Sequence, residues 1–469
     1  MSILKLSQSP EKRIVENKSL NQLTRADGSS SRLVALNAAR NAVKPTVNLI
    51  VVGHVDAGKS TLMGHFLYQL GGINERIMHK YKQESAKRGK ASFAYAWILD
   101  DTQEERERGV TMDVARTSFE TEHRKILVLD APGHKDFIPN MITGNSYADA
   151  GILVVNATHG EFETGFDFGG QTREHTILLR SLGVGELLVA VNKLDTVEWS
   201  QQRYDELRAT LTSFLRKQAS YTKVRFIPLS GLHGINLVNI HPLLQWYKGP
   251  TLLQAIDELQ VPAHSCDHPF RAVINNINKI SSSAISVNIK IEAGFIECKE
   301  KVYIMPDVYH VIVKVIETCS TKDIGFAGDN ALVTLIPISS IESDSVSIGH
   351  VLCRGGEECL IPGKKYRVRV VVFDTAVPIF RGTKVELFAH CLVEPCTITH
   401  LIAELNKSTG QVIRQKPRML TKNMSGVIEI VTERAVNLEL YSVCKALGRV
   451  TFRRTGQTIA AGIIEQKVD

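Results

Sequence analysis

The stretch 53–60 constrains the fold of this 469-residue chain more than any other part of its sequence. It reads G-H-V-D-A-G-K-S, follows the apolar run 49–52 and precedes an apolar segment that begins at 61. Glycines allow a strand to turn tightly into a helix whose first N–H groups point at phosphates. The order of strand, loop and helix therefore predicts a phosphate-binding loop. The nucleotide contacts predicted from it are Gly53, His54, Val55, Asp56, Ala57, Gly58, Lys59, Ser60 and Thr61.

Two side chains of this loop have defined tasks in the prediction. Lys59 reaches the β and γ phosphates, and the Ser60 hydroxyl binds Mg²⁺. A second motif, D-A-P-G-H at 130–134, directly follows the apolar run 126–129. Its aspartate, Asp130, can hold Mg²⁺ directly or through a water, and the N–H of Gly133 can bond the γ phosphate. The two motifs together predict a site for Mg²⁺ and a nucleoside triphosphate.

A third motif, N-K-L-D at 192–195, predicts which base is bound. Asp195 can accept hydrogen bonds from the ring N–H and the exocyclic amine of guanine, a pair of donors that adenine lacks. After the next apolar run, a backbone N–H of 230–232 can meet the guanine O6. The motifs in this order predict GTP and GDP as ligands. The base-side contacts are predicted to be Asn192, Lys193, Asp195, Ser230, Gly231 and Leu232.

Longer helical patterns separate short apolar runs from 47 to about 247. The runs at 126–129, 152–155, 187–191 and 226–229 are typical of strands buried on both faces. Ligands of such sheets bind at the carboxyl ends of the strands, where the polar motifs lie. The sequence therefore predicts an α/β domain with a doubly wound, mostly parallel sheet.

A charged segment at 104–113 lies between the phosphate-loop helix and Asp130. A charge run is usually a solvated face. Here its position matches a first switch loop, in which the Thr111 hydroxyl completes the Mg²⁺ shell while the Thr111 backbone bonds the γ phosphate of GTP. The predicted metal ligands are Ser60, Thr111 and Asp130.

Five motifs together resemble those of the translational GTPases of the elongation factor 1-alpha superfamily. They are G-H-V-D-A-G-K-S, R-E-R-G-V-T at 106–111, D-A-P-G-H-K-D-F-I-P-N-M-I-T-G at 130–144, G-G-Q-T-R-E-H at 169–175 and N-K-L-D. The resemblance is dense over 46–262 and looser beyond. It implies that His134 positions the attacking water, that Val55 and Val110 form an apolar gate restraining it, and that the ribosome triggers hydrolysis. With Thr111, these are the predicted catalytic residues.

Three segments, 91–97, 134–140 and 165–170, most resemble the HBS-type ribosome-rescue GTPases, which partner Pelota on stalled ribosomes. A release factor 3-type termination GTPase and an elongation factor 1-alpha-type aminoacyl-tRNA carrier are the nearest alternatives. Against the carrier, K-I-S-S-S-A at 279–284 replaces the family's glycine-rich strand. The resemblance implies a ribosome-stimulated GTPase that forms a heterodimer with a Pelota-like protein and contacts both ribosomal subunits and ribosomal RNA.

Two interpretations of other classes stay open. Sulfate-activating metabolic complexes use a related GTPase subunit, and a catalytic partner subunit in the purified complex would favour that interpretation. A GTP-dependent scaffold without turnover is the second, and the presence of His134 and Thr111 argues against it.

The sequence changes character after 262. Residues 284–291 and 365–372 alternate with period two, and polar turns recur between such runs, which predicts two antiparallel β-barrels. The predicted domains are a flexible basic leader at 1–45, a GTP-binding domain at 46–262, and β-barrels at 263–361 and 362–469. The resemblance implies that the last barrel is the surface for a delivered protein.

Most of the net charge of +7 lies in the leader, where eight basic residues face three acidic ones. A solvated tail is the favoured interpretation, and contact with RNA phosphates is the alternative. The sequence contains neither an apolar run of membrane-spanning length nor a signal peptide, and its eight cysteines, all after 265, form no C-x-x-C. These features predict a cytoplasmic protein with reduced thiols and no membrane partner.

Overall fold

The computed structural model describes most of the chain from Lys44 onwards. The described residues are 44–100, 102–108, 111, 115–133, 148–167, 170–260, 266–280, 284–318, 321–338, 345–373, 377–406 and 409–468. Within this part of the chain, 44–262 and 263–469 are two compact units. The predicted leader lies outside the described residues except for its last two positions.

The first unit is built on a six-stranded sheet in the order β2-β3-β1-β4-β5-β6. Only β2 runs antiparallel to its neighbour, so the predicted mostly parallel α/β sheet is confirmed. Every residue of β4 and β5 is buried, because both faces of these two strands are covered. The strands are β1 Thr46–Gly53, β2 Ala115–Glu120, β3 Lys125–Asp130, β4 Ala150–Asn156, β5 Glu186–Asn192 and β6 Val224–Pro228.

The order of the sheet reverses at β1, which pairs with β3 on one side and β4 on the other. In open α/β sheets the crevice at such a point binds the ligand.

None of the helices within the described ranges is long and apolar enough to cross a membrane. The helices are α1 Lys59–Gln69, α2 Glu75–Lys87, α3 Gln103–Arg108, α4 Glu161–Phe166, α5 Gln171–Leu182, α6 Gln201–Lys217 and α7 Leu252–Asp257.

The charged segment whose position matches the first switch loop begins as the helix α3. The physical reason is a capping box. The Glu105 backbone N–H donates to the Thr102 hydroxyl at 3.2 Å, and the Glu105 carboxylate accepts from the Thr102 backbone N–H at 3.2 Å. Arg106 then ties the helix to the preceding segment, because its guanidinium donates to the carbonyls of Asp100 and Trp97.

The second unit contains two antiparallel β-barrels, as the sequence predicted. The first is a closed barrel in the order β10-β11-β13-β8-β7-β14. Its interior is filled by alternating aliphatic side chains such as Val287, Ile289 and Ile291 of β8. Its strands, with the short pair β9–β12, are β7 Arg271–Ile280, β8 Ile285–Ala293, β9 Phe295–Glu297, β10 Lys301–Met305, β11 Tyr309–Thr318, β12 Ile324–Phe326, β13 Asn330–Pro337 and β14 Val351–Cys353.

The second barrel closes where β17 pairs with β18, and β19 extends this sheet beyond the closed ring. Seven cysteines fall in the described ranges, and all of them are free. The strands are β15 Gly363–Val372, β16 Ile379–Phe380, β17 Lys384–Ala389, β18 Leu392–Leu405, β19 Val412–Gln415, β20 Met419–Leu420, β21 Ser425–Val436, β22 Arg449–Arg454 and β23 Gln457–Lys467.

Two polar contacts join the barrels to each other. Arg271 of β7 donates two hydrogen bonds of 2.9 Å to the two carboxylate oxygens of Glu439, and this pairing raises the pKa of the guanidinium despite its burial. The Asn437 amide donates to the Met305 carbonyl at 2.7 Å. Since these side chains are largely buried, the contacts fix how the barrels meet.

Candidate functional site

The phosphate loop connects β1 to α1 and depends on glycine at two positions. Gly58 has a φ of 85°, a conformation that glycine adopts at little cost. At Gly53, an added Cβ atom would lie 2.3 Å from the Val154 carbonyl oxygen, so only glycine lets β1 pass so close to β4. The chain therefore turns from the sheet into the N-terminus of α1, with backbone N–H groups available to an anion.

Lys59 occupies the inside of this turn. Its ammonium group donates to the Gly53 carbonyl at 3.1 Å and to the His54 carbonyl at 3.0 Å, and the residue is only 7% exposed. Burial lowers the pKa of the Lys59 ammonium, and the charges of Asp130 and Asp56 partly offset that effect. The loop therefore holds a buried cation at the N-terminus of α1, which is an arrangement that binds phosphates.

The predicted metal ligands lie together at the start of α1. The Ser60 and Thr111 hydroxyls are 3.0 Å apart. Asp130 is fully buried, and neither of its carboxylate oxygens has a hydrogen bond of normal geometry from any described residue. Burial raises the pKa of Asp130 to about 6, although the nearby Ser60 hydroxyl and Lys59 ammonium oppose it. A buried carboxylate beside two hydroxyls is a ligand set that fits Mg²⁺.

Asp100 is a site residue that the sequence analysis missed. The Thr111 hydroxyl donates to its carboxylate at 3.5 Å, and Asp100 is buried. Burial raises the pKa of Asp100 to about 7, with contributions from the charges of Asp130 and Glu105. A divalent cation would offset this clustering of negative charge. No motif marks Asp100, which reaches the site because 91–100 folds back onto α1.

That fold-back depends on a glycine inside α1. An added Cβ atom at Gly64 would lie 2.0 Å from the Tyr95 carbonyl oxygen, so the segment lies directly on the helix backbone. One residue further along, the His65 ring stacks on the Tyr95 ring at 3.9 Å between centroids. The His65 ring also hydrogen-bonds the Gly231 carbonyl at 2.7 Å, so α1 supports the base-side loop as well.

Asn192 braces the base side of the site. Its amide donates to the Ala57 carbonyl at 2.8 Å, and its side-chain oxygen accepts from the Gly231 backbone N–H at 2.8 Å. The asparagine thus joins the phosphate loop to the loop that follows β6. Asn192 was predicted as a nucleotide contact, and in the structure its side chain connects these two loops.

Asp195 lies three residues after Asn192, at the carboxyl end of β5. Its Oδ1 atom is buried and accepts no hydrogen bond from the part of the chain that the structure describes. Its Oδ2 atom is 3.7 Å from Nε2 of the exposed His233. A carboxylate whose buried oxygen has no donor from the described chain can accept hydrogen bonds from the two donors of a guanine edge.

Most of the remaining predicted residues have positions that the structure describes. Gly133 follows β3, and an added Cβ atom there would lie 2.4 Å from the Lys59 ammonium. Ser230 is fully buried, whereas Leu232 is 41% exposed. Val110 and His134 lie outside the described residues. His54, Val55, Asp56, Ala57, Gly58 and Thr61 all belong to the loop and the first turn of α1, and Lys193 lies between Asn192 and Asp195.

Two family models match the chain. Residues 44–262 match "Elongation factor Tu GTP binding domain", and residues 365–465 match "GTP-eEF1A C-terminal domain-like". The first match covers the whole phosphate-loop site and the second covers the last barrel. Fold and site therefore define a GTPase, a GTP hydrolase of the kind found in translation factors.

Curated relatives extend over both units. Protein HBS1 of Drosophila melanogaster is 44% identical over 433 residues, which are 90% of this chain and 63% of HBS1. Elongation factor 1-alpha of Desulfurococcus mucosus is 38% identical over 425 residues, covering 89% of this chain and 96% of that protein. The chain therefore belongs to the elongation factor 1-alpha superfamily of translational GTPases, and its identity to HBS1 exceeds its identity to that elongation factor, as the sequence predicted.

A solved structure shows the same fold. The GTPase-like domain of S. cerevisiae Ski7, bound to GTP, superposes with a TM-score of 0.77 at 20% identity. The match covers 92% of this chain and 99% of that one. The chain spans 63% of the length of HBS1.

Proposed function

We propose that this protein is a cytoplasmic, ribosome-associated GTPase that delivers a Pelota-like release-factor paralogue to stalled ribosomes for rescue and mRNA quality control. It binds GTP or GDP together with Mg²⁺. Hydrolysis of GTP to GDP and phosphate serves as a timing step that releases the delivered protein. The protein acts as a monomer within a heterodimer.

The observation that carries this proposal is the 3.0 Å contact between the Ser60 and Thr111 hydroxyls beside Asp130. Ser60 belongs to the phosphate loop, and Thr111 belongs to the segment predicted to be the first switch. A Mg²⁺ ion held by both hydroxyls would tie the position of Thr111 to the γ phosphate. Loss of that phosphate would then release the segment that contains Thr111. Such coupling is what a timing switch requires.

The choice of a rescue factor over an aminoacyl-tRNA carrier is supported by similarity. Identity to HBS1 is 44%, against 38% for the elongation factor from Desulfurococcus mucosus, over 90% and 89% of this chain respectively. In this proposal the last barrel, built from β15–β23, carries the surface for the delivered protein. The nucleotide motifs all lie in the first unit, which leaves the barrels free for that task.

A pull-down from purified components tests the proposal. The full chain, loaded with a non-hydrolysable GTP analogue, is offered a Pelota-like protein, a termination factor and aminoacyl-tRNA in parallel. We expect the Pelota-like protein to be retained, and retention to fall with GDP. A fragment spanning 46–262 should bind GTP but retain no partner. Retention of tRNA or of the termination factor instead would assign the chain to one of those alternatives.

A substitution at Asp195 tests base recognition. In Asp195→Asn the amide cannot accept from both guanine donors, whereas it can donate to the C2 carbonyl of xanthine. We expect GTP affinity to fall by about 1.5 to 3 kcal/mol for each charged hydrogen bond lost, and xanthosine triphosphate to bind better than it does to the parent. Titration of fluorescent analogues of both nucleotides measures the change.

The matched control is Asp205→Asn, which removes the same charge from an exposed position on α6. We expect it to bind GTP like the parent. Unchanged GTP affinity in Asp195→Asn would remove the guanine assignment, because the buried Oδ1 atom would then have no part in base recognition.

A further inference from the structure

Two cysteines of the first barrel are brought together by a turn that depends on glycine. Cys353 is the last residue of β14, and the sequence after it reads R-G-G-E-E-C, ending at Cys359. Gly356 has a φ of 69°, and an added Cβ atom at Gly355 would lie 2.5 Å from a carbon of the Tyr303 ring. The Cys359 backbone N–H donates to the Gly356 carbonyl at 3.1 Å. The chain therefore folds back onto the end of β14.

The two sulfur atoms meet at the backbone of Leu360. The Leu360 N–H donates to Cys353 Sγ at 3.5 Å, and the Cys359 thiol donates to the Leu360 carbonyl at 3.9 Å. Leu352 belongs to the core of the barrel, so its neighbour Cys353 points away from that core and contacts the returning turn. Cys353 is fully buried, whereas Cys359 is partly exposed. A small oxidant can therefore reach Cys359 first.

The surroundings of Cys353 keep it protonated in the resting protein. Burial raises the pKa of the Cys353 thiol to about 11, and the neighbouring Cys359 adds to that effect. The Leu360 N–H and the Arg271 guanidinium oppose it. Since the thiolate is the form that reacts with peroxides, Cys353 is poorly suited to react first. Its position beside Cys359 suits it to the second step of an oxidation, in which a neighbouring thiol forms a disulfide.

The same turn touches the contact that joins the two barrels. The Arg271 guanidinium donates to the Glu358 carbonyl at 2.7 Å, and its other nitrogens hold the Glu439 carboxylate of the second barrel. Arg271 is also the register partner of Cys353 across β7 and β14. One side chain thus binds both the turn that carries Cys359 and the second barrel. A bond that fixes the turn also fixes an acceptor of Arg271.

We propose that Cys353 and Cys359 are a redox-sensitive dithiol that hydrogen peroxide converts into a reversible disulfide, which fixes the turn 353–360 against Arg271. The Cys359 thiolate attacks one peroxide oxygen, the O–O bond breaks, hydroxide leaves and Cys359 becomes a sulfenic acid. The Cys353 sulfur then attacks the Cys359 sulfur, the S–O bond breaks, and the Cys353 proton leaves with the hydroxide as water.

The overall reaction is balanced by the peroxide alone. Two thiols lose two electrons and two protons, and one hydrogen peroxide molecule becomes two water molecules. Exchange with a cytosolic dithiol reverses the reaction, as is usual for redox-sensing disulfides of cytosolic proteins. This inference goes beyond the proposed GTPase function and depends on neither the nucleotide nor the ribosome.

The test treats the reduced full chain with hydrogen peroxide, blocks the remaining thiols with N-ethylmaleimide in denaturant and digests the protein with trypsin. Trypsin cleaves after Arg354, between the two cysteines, so the disulfide links the peptides 323–354 and 355–364. Each of these peptides contains a single cysteine. We expect mass spectrometry to find this linked pair as the main cross-link, two hydrogen atoms lighter than the two peptides together, and to lose it after treatment with dithiothreitol.

Two substitutions separate the roles of the cysteines. In Cys353→Ser we expect no linked pair, and the sulfenic acid at Cys359 should accumulate and be trapped by dimedone, because the thiol that would replace it is missing. The matched control is Cys298→Ser, which removes a partly exposed cysteine that follows β9 in the same barrel. This control should form the linked pair at the parental rate.

Hydrogen exchange measures what the disulfide does to the turn. The amides of 355–360 should exchange several-fold more slowly in the oxidised protein than in the reduced protein, because the covalent bond limits opening of the turn. Cys359→Ser treated with the same peroxide should exchange like the reduced parent.

Three results would overturn the inference. The first is absence of the linked pair from the oxidised parent, since the two sulfurs then do not meet. The second is equal linkage of Cys353 and Cys359 to other cysteines, which indicates random oxidation. The third is unchanged exchange at 355–360 in protein that carries the disulfide, which would remove the proposed effect on the turn.

Discussion

Replacing Lys59 by Ala is expected to weaken GTP binding about a hundredfold or more. The ammonium is predicted to bond the β and γ phosphates, and each charged hydrogen bond contributes about 1.5 to 3 kcal/mol. Two such bonds are worth about 3 to 6 kcal/mol, which corresponds to roughly 10² to 10⁴ in the dissociation constant. The variant also leaves the Gly53 and His54 carbonyls without the donor that they have in the structure.

Isothermal titration of purified full-length protein with GTP and Mg²⁺ measures this effect. The control is Lys80→Ala, which removes the same charge from a lysine that is 69% exposed and pairs with Glu84 on the surface of α2. That exposed pair contributes little, so the control should bind GTP like the parent. A Lys59→Ala dissociation constant within threefold of the parental value would show that the phosphates do not lie in this loop.

The parts of the site that follow apolar runs were accessible from the sequence. Lys59, Asp130 and Asp195 each lie shortly after a run that forms a buried parallel strand, and parallel strands bring their carboxyl ends to one edge of the sheet. Local pattern and topology therefore act together at these positions. The same reasoning predicted the two barrels, since alternation with period two is the mark of half-buried strands.

Other parts depend on contacts that no local pattern encodes. Asp100 reaches Thr111 because the segment 91–100, between α2 and α3, lies on Gly64. A glycine within a helical pattern does not indicate which segment packs against it. Gln171 is visible in a motif, yet the hydrogen bond of 3.3 Å that its side-chain oxygen accepts from the Val55 backbone N–H is defined only by the fold. The helix α3 has one local signal, the capping box T-x-x-E at 102–105, but its residues Q-E-E-R-E-R have no apolar periodicity that would indicate a helix.

The exposed strand β19 shows the limit of periodicity. All four of its residues are exposed, so it has no buried face and no alternating pattern of burial, and it pairs with β18 at the edge of the sheet. An edge strand of this kind adds little apolar burial. Sequence patterns that report burial therefore cannot find it.

Replacement of His134 by Ala is expected to separate nucleotide binding from hydrolysis. His134 directly follows Gly133, which lies beside Lys59 and Val55 at the phosphate loop. An imidazole at this point in the sequence is suited to ordering the attacking water, and it has no predicted contact with guanine, ribose or Mg²⁺. The variant should therefore bind GTP nearly as well as the parent and still deliver its partner to ribosomes.

Ribosome-stimulated hydrolysis, in contrast, should fall roughly 10²- to 10⁴-fold in His134→Ala, because water positioning acts on the transition state far more than on the ground state. A single-turnover assay with ribosomes and labelled GTP measures this, alongside partner release from the complex. His123→Ala, a histidine with an exposed side chain that lies 3.8 Å from Asp257, is the matched control and should hydrolyse GTP at the parental rate. If His134→Ala also keeps the parental rate on ribosomes, the water is positioned by another residue or by the ribosome itself, and the gate proposed for Val55 and Val110 loses the group that it was thought to restrain.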